Sequence, residues 1–150
     1  MNMDIKECTL CPRNCGVDRS QGQRGYCGMT QEIRLARAAL HMWEEPCISG
    51  DAGSGAVFFS GCTLGCVFCQ NHEIAGSKVG KVISEERLAE IFLELQGKSA
   101  NNINLVTPTH FVPQIIRALQ SAQEQGNISL SLSPIMRIRS TGVPGIATLN

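Results

Sequence analysis

The stretch Gly61-Cys62-Thr63-Leu64-Gly65-Cys66-Val67-Phe68-Cys69-Gln70-Asn71 decides how the remainder of the chain is read. It spaces three cysteines as Cys-x3-Cys-x2-Cys, just after the apolar run Ala56-Val57-Phe58-Phe59. Three thiolates on so short a loop can converge on one centre, and they leave a cubane [4Fe-4S] cluster one iron short of full protein ligation. A closed structural zinc site wants four ligands and disulfides want pairs, so an odd triplet suits neither as it stands. Two plainer readings stay open. The triplet can be part of a split zinc site completed from elsewhere, or its thiols can be small buried apolar groups.

Working outward, residues 56–60 suit a strand buried on both faces of a parallel sheet, which puts the cysteine loop at its carboxyl end. In α/β barrels the chemistry gathers at that end, because the βα loops vary there without disturbing the packed core. The preceding Gly50-Asp51-Ala52-Gly53-Ser54-Gly55 reads as a flexible turn. It lacks Gly-x-Gly-x-x-Gly and the Walker lysine, so it does not read as a phosphate loop. Downstream, Gly76 and Gly80 mark a loop, and Ser84 caps a helix with Glu85 and Glu86 in its positive first turn. Leu88, Ile91, Phe92 and Leu95 then give one apolar stripe, and Gly97 ends the helix. Residues 103–106 read as a second strand followed by the loop Thr107-Pro108-Thr109-His110. Pro113 opens another helix with Ile115, Ile116, Leu119 and Ala122 on the buried side and Gly126 at its close. Residues 128–132 would be a third strand. Strand, loop and helix recurring in this way predict parallel strands joined by right-handed crossovers.

Towards the amino terminus, Cys8, Cys11, Cys15 and Cys27 are interleaved with Pro12, Asn14, Gly16, Asp18, Ser20, Gly22 and Gly25. This is a turn-rich knot that buries little apolar surface, so a metal bound by four thiolates would supply its folding free energy directly. Zinc and a second iron-sulfur cluster both fit four cysteines, and unmetallated thiols are the plainer alternative. Arg13, Arg19 and Arg24 read as a solvated face rather than an anion site. Residues 32–42 mix alternation with a helical look and lean towards a strand or irregular segment crossing the end of a barrel. His41 reads as structural, Trp43 and Pro46 as packing a connection, and Cys47 as a buried thiol first and an extra ligand second.

Composition narrows the class. The 150 residues have 43% hydrophobic content and zero formal charge, the size and balance of one ordinary domain with a core. No global positive field favours nucleic acid or an anionic membrane. Eight cysteines clustered at ligand spacings point to metal in a reducing compartment rather than to a secreted disulfide scaffold. The first residues carry no apolar signal core, and no stretch approaches the roughly 20 apolar residues of a membrane span. A cytoplasmic location is expected, with no nucleic-acid or membrane partner.

The cysteine spacing, Phe68 just before the last cysteine and the strand-like lead-in resemble the signature of radical S-adenosylmethionine (SAM) enzymes. Residues 42–50, Met-Trp-Glu-Glu-Pro-Cys-Ile-Ser-Gly, then 53–62 and 102–110, resemble a branch related to pyruvate formate-lyase activating enzymes. The resemblance covers residues 8 to 127. It implies that Cys62, Cys66 and Cys69 bind three irons of a [4Fe-4S] cluster while SAM chelates the fourth. It further implies reductive cleavage of SAM to a 5′-deoxyadenosyl radical, a reducing electron donor, and a protein or small-molecule substrate. Phe68 would pack near the adenine or the cluster, with core filling as the alternative. The family's Gly-Gly-Glu at the end of the second strand is absent, and Thr107 and Thr109 are placed to contact the SAM amino group instead. His110 is either a polar site residue or an ordinary loop histidine.

The implied architecture is α/β, an incomplete radical SAM βα barrel preceded by a small Cys-rich metal-binding segment. Residues 1–50 are the Cys-rich segment and connection. Residues 51–133 hold two βα units and the start of a third, and 134–150 are an unassigned tail expected to be poorly ordered. Six units make the family's partial barrel, so a chain truncated at the carboxyl end is the simplest account. A metal-binding or electron-transfer fragment without catalysis is the alternative from another class.

Overall fold

In a computed structural model the described residues are 5–126 and 132–135. A mixed five-stranded sheet organises them. The strands are β1 (Ile33–His41), β2 (Ser54–Phe59), β3 (Lys81–Ile83), β4 (Ile103–Val106) and β5 (Leu132–Ile135), in the order β3-β1-β2-β4-β5. The helices are α1 (Pro46–Ser49), α2 (His72–Ala75), α3 (Glu85–Gly97) and α4 (Val112–Gly126).

The parallel half matches the expectation. β2 pairs with β4, Phe58 opposite Val106, and β4 pairs with β5, Val106 opposite Ile135. Short apolar strands alternating with helices can meet this way because each helix returns the chain to the same edge of the sheet. The third strand lies a little later than expected and runs through Pro134. Residues 128–131 of the expected strand and 136–150 of the expected tail lie outside the described residues.

The other half differs. β1 is a strand, as the alternation suggested, but it crosses no barrel end. It runs antiparallel between β2 and β3, with a register irregularity between Leu35 and Arg37. β3 was not expected at all, since three residues carry too little period to register.

α3 forms for the reasons read in its sequence. Ser84 Oγ accepts from the N–H of Arg87, and Leu88, Ile91, Phe92 and Leu95 are buried. Each such side chain removed from water contributes roughly 1.5–3 kcal/mol. On α4 Ile115, Ala118 and Ala122 are buried, as are Pro113 and Gln114 in its first turn, whereas Ile116 is exposed. The stripe continues the line of Phe111 by steps of four, three and four residues, so Ile116 points away from it. These helices cover Val57, Phe59, Ile103 and Leu105 to make one core. Among the described residues no helix is long and apolar enough to cross a membrane.

Candidate metal centre

Because β2 and β4 are parallel, their carboxyl ends lie side by side, and the chain leaves β2 there as the loop 60–71. The loop is anchored at its root. Gly61 adopts φ +83°, and its N–H donates to the Ile74 carbonyl over 2.9 Å. An added Cβ would stand 2.5 Å from the Cys27 carbonyl oxygen and 2.6 Å from Met29 Cγ, so only glycine lets the two segments meet. Ser60 is fully buried, and its Oγ donates to Val79 O over 2.6 Å.

Past that root the loop opens to solvent. Cys62 and Cys69 are half-buried and Cys66 is exposed, all three as free thiols. The Leu64 N–H points at Cys62 Sγ over 3.4 Å, a donor suited to a thiolate. Phe68 is 99% exposed, which removes core filling as its role. Among the described residues no three His, Cys, Asp or Glu side chains stand in the geometry of a closed metal site. The donor chemistry suits a cluster: soft thiols on one exposed loop, with backbone N–H groups close by.

Thr107 and Thr109 follow β4 at the same carboxyl end of the sheet, and both are half-buried. Thr107 has φ +54°, uncommon for a β-branched residue, and its Oγ1 lies 2.8 Å from Val106 O and 3.1 Å from Phe59 O, so its one proton is shared between the ends of β4 and β2. The structure thus brings Thr107 to the root of the cysteine loop.

Sequence reasoning missed the braces of this region. His110 is buried, and its Nε2 lies 2.8 Å from the Ser60 carbonyl oxygen. Burial pushes its pKa down to about 4 against the pull of that carbonyl, with the Arg19 charge adding to the depression. The ring is therefore neutral near pH 7 and donates from Nε2. Arg19, expected on a solvated face, is fully buried and donates from Nη1 to His110 O over 2.6 Å and from Nε to Thr30 O over 3.1 Å. Arg13 is exposed, as expected of a solvated face, and in addition donates to the carbonyls of the cysteine loop. Bonds to backbone carbonyls at scattered positions leave no sequence period, so none of these braces had a signal to find.

Expectations upstream are corrected at three residues. Cys47 is exposed on α1 rather than buried, and Trp43, 89% exposed, and Pro46, also exposed, do not pack the connection, because the short α1 buries only Ser49. A cavity of about 520 Å³ between β1, β3 and the starts of α3 and α4 has Gln31, Glu32, Gln114 and Arg117 in its wall and none of the cysteines.

The four amino-terminal cysteines are close neighbours. Cys15 lies in hydrogen-bonding reach of Cys8; burial acts to raise its pKa, but the N–H groups of Tyr26 and Val17 outweigh this and bring it below the ordinary thiol value. Burial pushes the Cys27 thiol up, against the nearby Arg19 charge and with the like charges of Cys11 and Cys8.

The family model for a 4Fe-4S single cluster domain matches residues 48–130. The chain belongs to that family. Within the matched span of this 4Fe-4S single cluster domain the cysteines are Cys62, Cys66 and Cys69. An uncharacterised protein of Methanocaldococcus jannaschii is 31% identical over 124 residues, covering 77% of this chain and 35% of the relative. The chain therefore spans about a third of the length of that curated relative. No solved structure matches it.

Proposed function

We propose that this 4Fe-4S domain is the first part of a radical SAM enzyme, of the branch related to pyruvate formate-lyase activating enzymes, with Cys62, Cys66 and Cys69 holding the cluster. The observation that carries this reading is the exposed three-cysteine loop at the joined carboxyl ends of β2 and β4. Three thiols leave one iron of a cubane without a protein ligand, which is the position that a SAM amino and carboxylate group would fill. With SAM bound there, a reduced cluster would supply one electron to the sulfonium, so that the S–C5′ bond breaks to give methionine and a 5′-deoxyadenosyl radical.

The chain's own contribution is placement. Gly61 and the Arg13 contacts hold the loop, Phe68 offers an aromatic face for adenine, and the backbone and hydroxyls of Thr107 and Thr109 offer acceptors for the ammonium. The parallel strands β2, β4 and β5 are read as the first units of a partial barrel, preceded by the Cys-rich segment of residues 1–50. The rest of that barrel would belong to a longer protein. A reducing electron donor and a protein substrate, as for glycyl-radical activases, complete the reading, and a reducing cytoplasm suits the free thiols.

Anaerobic reconstitution tests it. Addition of SAM to the reduced cluster is expected to change its electron paramagnetic resonance spectrum, with 5′-deoxyadenosine released. A cluster whose spectrum ignores SAM overturns the reading in favour of a metal-binding or electron-transfer domain.

A further inference from the structure

Cys8, Cys11, Cys15 and Cys27 lie outside the span matched by the 4Fe-4S domain. Backbone turns fold them together. The N–H of Cys8 donates to Val17 O and the N–H of Gly16 donates to Cys8 O, each over 3.1 Å, while Asn14 N–H closes the turn onto Cys11 O at 3.0 Å. A Cβ at Gly25 would stand 2.8 Å from Cys15 Sγ and 3.8 Å from Cys27 Sγ, so these two thiols flank the same glycine. All four are free thiols.

A second observation concerns charge. Arg19 is wholly buried beside this group, its Nη1 4.0 Å from Cys8 Sγ; the other hydrogen-bond partners of its side chain are the carbonyls of Thr30 and His110, and its guanidinium lies 5.6 Å from the centre of the Phe111 ring. The ion pairs among the described residues join Arg87 to Glu90 and Glu94, and Arg117 to Glu85, so no carboxylate there neutralises Arg19. A guanidinium taken out of water without an anion is costly even when carbonyls accept its hydrogens. Four neutral thiols supply no anion. Four thiolates around a divalent ion do, because the complex keeps a net dianionic charge, and so does a tetrathiolate [4Fe-4S] core in its oxidised state.

We propose that Cys8, Cys11, Cys15 and Cys27 form a tetrathiolate metal centre distinct from the Cys62–Cys69 loop, with the buried Arg19 guanidinium as its internal counter-charge. Loading displaces the thiol protons to solvent, draws the four sulfurs onto one metal centre and fastens a segment that has little apolar core of its own. The centre also bears on the other loop, because Tyr26 and the Cys27 carbonyl touch it at Gly65 and Gly61.

The test removes the first centre to expose the second. A Cys62→Ser, Cys66→Ser, Cys69→Ser triple variant is purified anaerobically and its metals are counted by plasma mass spectrometry. Retention of about one zinc or about four irons per chain supports the centre and identifies its metal. Adding Cys11→Ser and Cys15→Ser should abolish that metal, and Arg19→Met should weaken its retention against a chelator by roughly tenfold or more, with Arg19→Lys restoring part of the loss. If the variants misfold, alkylation of the wild-type chain decides. Cys11 and Cys15 should react with iodoacetamide far more slowly than exposed Cys47 until a chelator is added. A folded triple variant that takes up neither zinc nor reconstituted iron, or chelator-independent alkylation of Cys11 and Cys15, overturns the proposal.

Discussion

Arg13 donates from Nε to the Thr63 carbonyl over 2.9 Å, joining residues fifty apart in sequence. Its Nη2 reaches Leu64 O at the same distance, and the guanidinium lies 3.9 Å over the Tyr26 ring. A planar fork can make both bonds and stack at once, which lysine cannot. Arg13→Ala is expected to cost only about 1 kcal/mol of global stability, since the bonds are exposed. Its local effect should be larger, with faster amide exchange across residues 63–66 and faster loss of the reconstituted cluster. Hydrogen exchange that is unchanged in this loop would show that the clamp is idle in solution.

The close approach at Gly61 gives a sharper test. Its left-handed φ and the two contacts inside 3 Å combine, so Gly61→Ala should lose at least about 2 kcal/mol in a urea titration. Gly16 also has a positive φ, +64°, but has open space around it. Gly16→Ala should therefore cost only about 1 kcal/mol. Equal losses at the two sites would mean that the Cys27 segment is not seated against the loop.

These contacts mark where sequence stops being readable. Ser84 as a cap and the stripe through Leu88, Ile91, Phe92 and Leu95 are local patterns, and local patterns survive folding. So are the apolar runs that became β2 and β4. The antiparallel pairing of β1 with β2 and β3 depends on partners from thirteen to fifty residues away, and nothing within residues 32–42 records it. Arg19 is the extreme case. Basic side chains lie mostly at surfaces, and what buries this one is a set of carbonyls at Thr30 and His110 brought together by tertiary structure alone. The cysteine spacing was legible because ligand geometry demands a short loop, whereas the exposure of Cys47 and Trp43 depends on how little α1 covers.

His110 makes stability depend on pH. Its folded pKa lies near 4 against an ordinary value of 6.5, so the unfolded chain takes up the proton first. The neutral ring's contribution is complete above pH 6.5 and is lost as pH falls through the folded pKa, amounting to roughly 3 kcal/mol in full. Wild type should therefore lose more stability between pH 7 and pH 4 than His110→Gln, measured by denaturant unfolding at each pH. Parallel pH profiles for the two proteins would mean that the ring is solvated.

Two phenylalanines separate packing from function. Phe92 is fully buried in α3, and Phe92→Ala should cost about 3–5 kcal/mol by leaving a cavity that its neighbours only partly fill. Phe68 is 99% exposed on the cysteine loop, so Phe68→Ala should change stability by less than about 0.5 kcal/mol. An aromatic exposed beside three thiols leaves its face free to stack on a bound nucleotide. With the cluster reconstituted, the alanine variant is expected to bind SAM roughly three- to tenfold more weakly, the worth of one aromatic contact. Unaltered SAM binding in a fully folded Phe68→Ala variant would remove Phe68 from the nucleotide site, and a loss of stability like that of Phe92→Ala would mean that the ring packs inward in solution.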